Sequence, residues 1–330
     1  MTLRFDVAGM GNAIVDVLAS VHDRFLLDHN IAKGVMTLID EFRARELYEA
    51  LPQRTEIAGG SAANTMAGLA SLGGRGVFVG KVKDDRLGRS FAESLNGLGV
   101  RFDTAMATSG PPTACCLIAV TDDGHRSMST YLGASREIAP ADVDENAVAA
   151  SEILYIEGYL WDQPEAKAAI EKAINAAHGA HRRVALTLSD PFCVGRWREE
   201  FLDLFRTRID ILFANEEEAK ALFETDNFDN VVQVTRGWRG TAALTRSEKG
   251  CVVVGKAEVH VLDAAPVARV VDTTGAGDQF AAGFLYGLTH KKSLADCGRL
   301  GGIAAAEVIA HFGARPQTPL AALAARAGLA

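Results

Sequence analysis

From residue 151 onward, short apolar runs alternate with helical segments, and this alternation constrains the fold more than any other feature of the chain. Strands are predicted at 153–156, 183–188, 209–213 and 231–234, and helices at 164–178, 196–205, 216–223, 277–289 and 294–311. Strand, helix and strand in succession predict a mostly parallel sheet that helices cover on both faces. The fold class is therefore expected to be α/β.

The first 140 residues follow a different pattern, in which several strand-like runs have no helix between them. A strand at 5–10 and helices at 61–72 and 87–98 fit the parallel sheet, whereas the runs at 14–21, 35–39, 113–121 and 125–132 do not. The tripeptide Asp122-Asp123-Gly124 favours a turn, so the last two runs are predicted to pair as a hairpin. We expect these runs to form a small protruding β-sheet lid, inserted at roughly 13–55 and 98–135 into a single domain that spans 1–330.

The charge balance excludes partners that need a basic surface. The chain has 34 Lys and Arg residues against 42 Asp and Glu residues, which gives a net charge of −8. Such a chain has no electrostatic footprint for nucleic acid or for an anionic membrane. A phosphate group would therefore have to be bound by a local site.

Targeting and redox signals point to a soluble protein. Residues 1–6 lack a basic region followed by an apolar run, and no run of about 18 uncharged apolar residues occurs, so neither a signal peptide nor a membrane span is expected. The five cysteines show no C-x-x-C pairing; they are Cys115, Cys116, Cys193, Cys251 and Cys297. We expect a reduced, cytoplasmic protein with buried thiols.

The segment 272–278, which reads D-T-T-G-A-G-D before an apolar helical run, carries the strongest chemical signal. Gly275 and Gly277 permit backbone angles closed to other residues, so that N–H groups at a helix start can converge on one anion. Asp278 then lies in the first helical turn, where its carboxylate is stabilised as the anion and can accept a proton from a hydroxyl group. The alternative is a loop whose aspartate only caps the helix.

A second glycine turn, at 58–64, reads A-G-G-S-A-A-N. Gly59 and Gly60 leave room for a ligand against the backbone, and the amide of Asn64, one helical turn further on, could bind paired hydroxyl groups. The alternative is a glycine turn followed by Ser61 as an ordinary helix N-cap.

A third segment, at 9–16, reads G-M-G-N-A-I-V-D after the first strand. A dinucleotide-binding site is not expected, because Ile14 replaces the third glycine and no helix follows. Asp16 could instead grip sugar hydroxyls from a lid strand, or it could be an exposed loop aspartate. No G-x-x-x-x-G-K-[ST] sequence occurs, which excludes a P-loop enzyme.

Asn215 and Glu218 lie three residues apart after a predicted strand and so share one face of the helix that follows. They could hold a water-coordinated Mg²⁺, although an N-capped acidic first turn predicts the same residues. The eight histidines do not cluster at ligand spacings, so no zinc site is expected.

Together these segments resemble the ribokinase-like carbohydrate kinases of the PfkB family, and most closely the adenosine kinases among them. The resemblance covers nearly the whole chain, and its most specific part is the run from Asp272 to Phe284. It implies a three-layer αβα domain with a β-sheet lid. It also implies an ATP-dependent kinase that phosphorylates the 5′-hydroxyl of a nucleoside, adenosine or another purine nucleoside. A sugar kinase of the same family and a non-catalytic nucleoside-sensing protein remain alternatives.

The resemblance also assigns roles to individual residues. The acceptor would be bound by Asn12, Asp16, Gly59, Gly60 and Asn64, with Tyr159 or Leu160 stacking on the base and Met36 or Met128 covering it. Catalysis would use Asp278 with the amides of Gly275, Ala276 and Gly277, and the phosphates would contact Arg126, Asn215 and Glu218. ATP would also contact Thr235, Gly237 and Gly313; Glu218 would bind Mg²⁺ through water, and Asp272 and Thr274 would match a monovalent cation site for K⁺. Relatives of this kind are monomers or homodimers.

Overall fold

The computed structural model describes residues 3–329 and contains two separate β-sheets. The strands are β1 (Phe5–Met10), β2 (Ile14–Ser20), β3 (Met36–Leu38), β4 (Thr55–Gly59), β5 (Gly76–Val79), β6 (Ala114–Val120), β7 (Arg126–Tyr131), β8 (Ser151–Glu157), β9 (Arg183–Thr187), β10 (Ile211–Asn215), β11 (Thr241–Thr245), β12 (Cys251–Val254) and β13 (Val259–Leu262). The α-helices are α1 (Asp23–Asp28), α2 (Glu41–Ala50), α3 (Ser61–Ser71), α4 (Arg86–Gly97), α5 (Glu145–Ala149), α6 (Pro164–Gly179), α7 (Pro191–Thr207), α8 (Glu216–Phe223), α9 (Phe228–Arg236), α10 (Ala276–Thr289), α11 (Leu294–Val308) and α12 (Leu320–Arg326).

The large sheet has eight strands in the order β13-β12-β11-β10-β9-β8-β1-β5. All pairs from β5 to β11 are parallel, and β12 and β13 extend the sheet antiparallel at one edge. Its central strands are almost continuously apolar, as expected of strands buried on both faces. The predicted α/β class with a mostly parallel sheet is confirmed.

Helices cover both faces of this sheet and create two cores. Val7 of β1 lies in the core shared with α3, α4, α10 and α11, whereas its neighbour Ala8 lies in the core shared with α5 to α9. Tyr155 and Leu154 of β8 divide between the same two cores. This alternation follows from the pleat of a strand, which turns successive side chains to opposite faces.

The small sheet has five strands in the order β3-β7-β6-β2-β4. The predicted hairpin is present as β6 and β7, and Gly124 takes a φ of +83° in its turn. Strand β4 was not predicted, and it carries the small sheet beyond residue 55. One face of the sheet packs on α1, α2 and α4, while the opposite face leaves Met36, Leu38 and Ile57 exposed.

The strand predicted at 231–234 is wrong, because these residues lie inside helix α9. The β-branched valines there favour a strand when read locally. Asn227 instead caps a helix by accepting a hydrogen bond from the Asp229 N–H, and the buried positions Phe228, Val231 and Thr235 recur at helical spacing. The next parallel strand is β11, ten residues further on.

Within residues 3–329, no helix combines the length and the apolar character that crossing a bilayer would require. All five cysteines are buried as free thiols.

Candidate active site

The candidate site lies where the parallel strands end and two helices begin. The carboxyl ends of neighbouring parallel strands meet at one edge of a sheet, which is the usual place for ligands in this fold class. Here that edge carries polar side chains in place of the apolar residues of the strands; they are Asn12, Glu157, Thr187, Ser189, Asn215 and Thr245. Helices α3 and α10 start beside them, and their first turns contact each other through Asp278.

Asp278 is half-buried and is held by two donors from α3. The Ser61 hydroxyl donates to its Oδ1 over 2.6 Å, and the Asn64 Nδ2 donates to its Oδ2 over 3.2 Å. Burial raises the pKa of the carboxyl to about 6, although both hydrogen bonds lower it. The group lines a cavity of about 90 Å³ together with Asn215 and Thr245. A carboxylate that titrates just below neutral pH is suited to accept a proton.

The start of α10 is left without a cap. Gly275 takes a φ of +79°, and a Cβ on it would lie 2.7 Å from Ala314, so only glycine fits. Its N-cap residue, Gly275, has no side chain to accept a hydrogen bond, and no other side chain among residues 3–329 takes that place. The Ala276 N–H donates to the Thr273 carbonyl over 3.2 Å, so it is already used in the turn. Gly277 faces open space, and the positive end of the helix is therefore directed at the cavity that Asp278 lines.

The start of α3 is built differently, because a carboxylate from the sheet occupies it. Glu157, which is 1% exposed, accepts the Ala62 N–H over 2.9 Å and the Asn12 Nδ2 over 2.9 Å. Burial raises the pKa of Glu157 to about 7. Gly60 has a φ of +91°, and a Cβ there would lie 2.2 Å from the Asn12 carbonyl oxygen. Asn12 thus connects strand β1 to this turn and is itself buried.

Asp16 projects from β2 of the small sheet toward the same cleft. A Cβ on Gly59 would lie 2.3 Å from its Oδ2, so the glycine makes room for this carboxylate. Burial raises the pKa of Asp16 to about 7, while the positive charges of Arg315 and Arg126 lower it. Asp16 and Asn64 line one cavity of about 10 Å³, which in this conformation has room for about one water molecule.

Arg315 was not found from the sequence. Its Nε donates to the Asn64 Oδ1 over 3.3 Å, and its Nη1 donates to the Ser94 hydroxyl over 3.0 Å. Burial lowers the pKa of this guanidinium to about 10, against the opposite effect of Asp16. Arg315 follows Gly313-Ala314 with no motif around it, so only the fold shows its place in the site.

Arg126 contacts the segment before α10. Its Nη1 lies 2.8 Å from the Asp272 Oδ2 and 3.4 Å from the Thr274 hydroxyl. Its Nε and Nη2 are buried and have no hydrogen-bond partner within residues 3–329. The same carboxylate accepts the N–H groups of Thr274 and Gly313 over 3.1 and 3.0 Å. Because a guanidinium already neutralises Asp272, these residues do not fit a monovalent cation in this structure. In the part of the chain that the structure describes, no group of three or more His, Cys, Asp or Glu side chains forms a metal site.

Asn215 and Glu218 form a reciprocal cap at the start of α8. The Asn215 Oδ1 accepts the Glu218 N–H over 2.8 Å, and the Glu218 Oε2 accepts the Asn215 N–H over 2.9 Å. Glu218 is 6% exposed, and burial raises its pKa to about 7. The N-capped acidic first turn, which was the alternative to an Mg²⁺ site, is therefore present. Both side chains also line the cavity next to Asp278, where Glu218 could reach Mg²⁺ through water.

The predicted ATP contacts of Thr235 and Gly237 do not fit the structure. Thr235 is 1% exposed inside α9, and its hydroxyl donates to the Val231 carbonyl over 2.9 Å. Gly237 ends that helix and does not follow a strand. The residue at the carboxyl end of the neighbouring parallel strand is Thr245, which lines the cavity with Asp278. Taking 231–234 for a strand displaced the expected contact by ten residues.

The residues expected to contact the acceptor base differ in whether the structure lets them reach a ligand. Leu160 is 2% exposed within the core under α6 and cannot stack on a ligand. Tyr159 donates its hydroxyl to the Ser189 carbonyl over 3.3 Å at the edge of the large sheet. Met36 and Met128 are directly paired on the small sheet. They lie on the side of that sheet that also carries Asp16.

An ionisable aspartate beside an uncapped helix start, at the strand ends of an α/β sheet, has the parts of a phosphotransferase that acts on a hydroxyl group. Comparison with known proteins agrees with this class. Residues 36–321 match the family model described as pfkB family carbohydrate kinase, and the chain belongs to that family. It is therefore a nucleoside or sugar kinase, and its family implies ATP as the phosphoryl donor.

Individual relatives support the same conclusion along the whole chain. Adenosine kinase 2 of Arabidopsis thaliana is 26% identical over 337 residues, which cover 94% of this chain and 96% of that protein. The crystal structure of adenosine kinase from Sinorhizobium meliloti is 50% identical, with a TM-score of 0.90 and coverage of 98% and 99%. The crystal structure of a probable sugar kinase protein from Rhizobium etli CFN 42 is 48% identical, with a TM-score of 0.92 and full coverage of both chains.

Proposed function

We propose that this protein transfers the γ-phosphoryl group of ATP to the 5′-hydroxyl of a purine nucleoside, with adenosine as the first candidate. The observation that carries the proposal is the Asp278 carboxylate, held between Ser61 and Asn64 next to the uncapped start of α10. A base for the hydroxyl proton and a positive pole for the transferring phosphoryl group are thereby placed side by side.

In this mechanism the chain mainly supplies position and electrostatic stabilisation. Asp278 accepts the proton of the acceptor hydroxyl while Ser61 and Asn64 fix its orientation. The N–H groups of Gly275 and Gly277 face the negative charge that grows on the phosphoryl oxygens. Arg126, whose buried Nε and Nη2 have no hydrogen-bond partner in the described part of the chain, is suited to donate to phosphate oxygens.

Glu218, with Asn215 beside it, would hold Mg²⁺ through water molecules. The ion would neutralise charge on the ATP phosphates when bound.

The nucleoside acceptor is supported by the surface around Asp16. Asp16, Gly60 and Asn64 would contact the ribose hydroxyls. Beside them, the partly buried Leu18 and the exposed Ile57 give this face of the small sheet an apolar character that a purine base could cover. A free sugar would leave this apolar surface in contact with water. The adenosine kinases among the relatives favour the same acceptor.

We also propose that the small sheet acts as a lid on a single domain. Asp16 on β2 and Arg126 on β7 would reach the site only when the sheet lies over the strand ends. Closure of such a lid keeps water from accepting the phosphoryl group.

A panel of acceptors tests the proposed function. Adenosine, guanosine, cytidine, ribose and fructose would each be incubated with ATP and Mg²⁺, and kcat/KM would be measured from ADP release. We expect adenosine to give the highest value. Sites that hydrogen-bond a hydroxyl group reject analogues lacking it by about 10⁴-fold or more, so 2′-deoxyadenosine should be a much poorer acceptor.

The same panel distinguishes the alternatives. A higher kcat/KM for ribose or fructose would favour a sugar kinase. Absence of ADP release with every acceptor, together with a thermal shift on adding adenosine and ADP, would favour a non-catalytic nucleoside sensor.

A further inference from the structure

Arg315, in the loop between α11 and α12, contacts the acceptor side of the site from outside every predicted motif. We propose that Arg315 is a positioning residue, which fixes the direction of the Asn64 amide. The inference rests on the kinase activity proposed above and assigns a residue to its acceptor side. Its basis is the set of contacts that the guanidinium makes.

The first contact decides which way the Asn64 amide points. A guanidinium only donates hydrogen bonds, so the Arg315 Nε requires the oxygen of the amide on its side. The amide nitrogen must then face Asp278, where it donates over 3.2 Å. If the amide were reversed, its oxygen would face the Asp278 carboxylate, and two acceptors would oppose each other.

Arg315 is itself anchored, so that it can impose this direction. Its Nη1 donates to Ser94 on α4 over 3.0 Å. The Gln279 side chain, 0% exposed, donates to the Asn64 carbonyl over 3.0 Å and to the Ala314 carbonyl over 2.9 Å. These hydrogen bonds connect α3, α4, α10 and the loop at 313–315 around Asn64. The Arg315 Nη2 remains buried without a partner among the described residues, at the edge of the cavity that Asp16 lines.

The charge of Arg315 has a separate effect on Asp16. The positive groups that face this carboxylate are Arg315 from the loop and Arg126 from β7. Two acidic groups have the opposite sign. The charge of Asp278 from α10 raises the pKa of Asp16, and the buried thiol of Cys116 belongs to the residue that pairs with Asp16 on β6. Burial alone would favour the protonated acid, so the two arginines oppose it. Removing one of them raises the pKa of Asp16, and acceptor binding that needs the carboxylate then requires a higher pH.

Two substitutions separate geometry from charge. Arg315→Lys keeps the charge but cannot donate to Asn64 and Ser94 with one planar group, whereas Arg315→Met removes both functions. We expect each to lower kcat/KM for adenosine by about 10- to 100-fold. Only R315M should also move the acid limb of adenosine binding, followed by calorimetric titration across pH 5–9, upward by about one unit. Ser94→Ala removes only the outer anchor and should lower kcat/KM by less than R315K does, because the Arg315 Nε can still donate to Asn64.

The Asn64→Ala background tests whether Arg315 acts through the amide. If it does, R315K in N64A adds little to the loss that N64A alone causes, since the two residues form one unit. Independent effects that multiply would overturn the proposal. The proposal would also be overturned by an S94A enzyme as impaired as R315K, or by an R315K protein that has lost its cooperative unfolding transition. Either result would show that Arg315 only supports the fold.

Failure of the proposed acceptor would be recognised separately. A wild-type enzyme that phosphorylates ribose but no nucleoside would contradict the purine nucleoside as acceptor. The ratio of kcat/KM between R315K and wild type, measured with ribose and 2-deoxyribose, would then still decide the role of Arg315.

Discussion

Two glycine turns open the two helices of the site, and their helix starts differ in one respect. At α3 the buried carboxyl group of Glu157 accepts the Ala62 N–H, so the start of that helix is occupied from within the protein. At α10 no side chain of the described residues caps the helix, and Gly277 faces open space. Both turns require glycine: Gly60 and Gly275 take φ values of +91° and +79°.

The difference shows which turn is structural and which is left for a ligand. A helix start attracts anions in either case. An internal carboxylate turns that attraction into a fixed contact between α3 and the sheet, and this contact places Ser61 and Asn64. An uncapped start keeps the attraction for an anion from outside. The glycines alone do not reveal this, because both sequences satisfy the same backbone rule.

Asp278→Asn changes the carboxylate beside the uncapped start of α10 and should have the largest effect. Loss of a general base costs about 10²–10⁴ in rate, so kcat should fall by this factor while adenosine affinity changes little. Steady-state kinetics and calorimetric titration would measure the two quantities. A D278N enzyme that keeps more than about a tenth of the wild-type kcat would remove Asp278 from the role of base.

Matched glycine substitutions compare the two turns directly. Gly60→Ala forces a methyl group against the Asn12 carbonyl at a positive φ, and we expect it to lower the free energy of unfolding by about 2–5 kcal/mol. Gly277→Ala meets no atom within 4 Å and should leave stability unchanged or raise it by up to about 1 kcal/mol. Its methyl group should nevertheless lower kcat by about tenfold or more, because it faces the space proposed for phosphate.

Denaturant unfolding and kcat, measured on both alanine variants, decide this comparison. Equal losses of stability in G60A and G277A, or full activity in G277A, would contradict the assignment of different tasks to the two turns.

Glu157→Gln tests the glycine turn at the start of α3 through the pH dependence of stability. The folded protein raises the pKa of Glu157 from its ordinary 4.5 to about 7, so the native state holds its proton more tightly than the unfolded chain. The stability that this contributes is complete below about pH 4.5 and is lost as pH rises through 7. We expect wild type to exceed E157Q by about 1–3 kcal/mol at pH 5 and by less at pH 8.

Unfolding of wild type and E157Q in urea at pH 5, 6, 7 and 8 would measure this difference. Asp16 and Glu218 titrate in both proteins and cancel in the comparison, whereas the charge of Asp278, which raises the pKa of Glu157, contributes to the measured difference. A gap that widens as pH rises would show that Glu157 is held as the anion.

Ser61→Ala should have the smallest effect, on the pH profile of the reaction. Asp278 must be ionised to accept a proton, so kcat/KM should fall as pH drops below about 6. The Ser61 hydroxyl stabilises the ionised form, and its loss should move this limb to higher pH by less than about one unit. Ser71→Ala, at the far end of α3, is the matched control and should leave the limb in place; equal shifts in both variants would contradict a specific contact.

The sequence was sufficient for the parts that local patterns control. The helix at 216–223 and the strand at 5–10 have the predicted bounds, and the β6–β7 hairpin follows its turn. Short strands such as β5 and β12, with four residues each, carry too little periodicity to be found. In α9, helical packing outweighed the strand preference of its valines.

Predicting the site was limited by contacts that are distant in sequence. Glu157 lies 145 residues from Asn12, and Arg315 lies 251 residues from Asn64. Neither has a motif, although an acidic residue that ends an apolar strand, as Glu157 does, is a signal for a polar strand end. The amide of Ala276 also differs from expectation, since the turn itself uses it. Only the folded backbone could reveal these partners.

The position of β1 between β5 and β8 has a consequence for how the chain is made. Met10 pairs with Val79 on one side and with Ile156 on the other. At about 5–20 residues per second, a ribosome needs on the order of 10–30 seconds to advance from the first strand to its second neighbour. Throughout that interval the nascent chain has one unsatisfied edge in the middle of its future sheet. Premature termination before residue 151 would therefore release fragments prone to aggregate, and this is where a chaperone would be needed most.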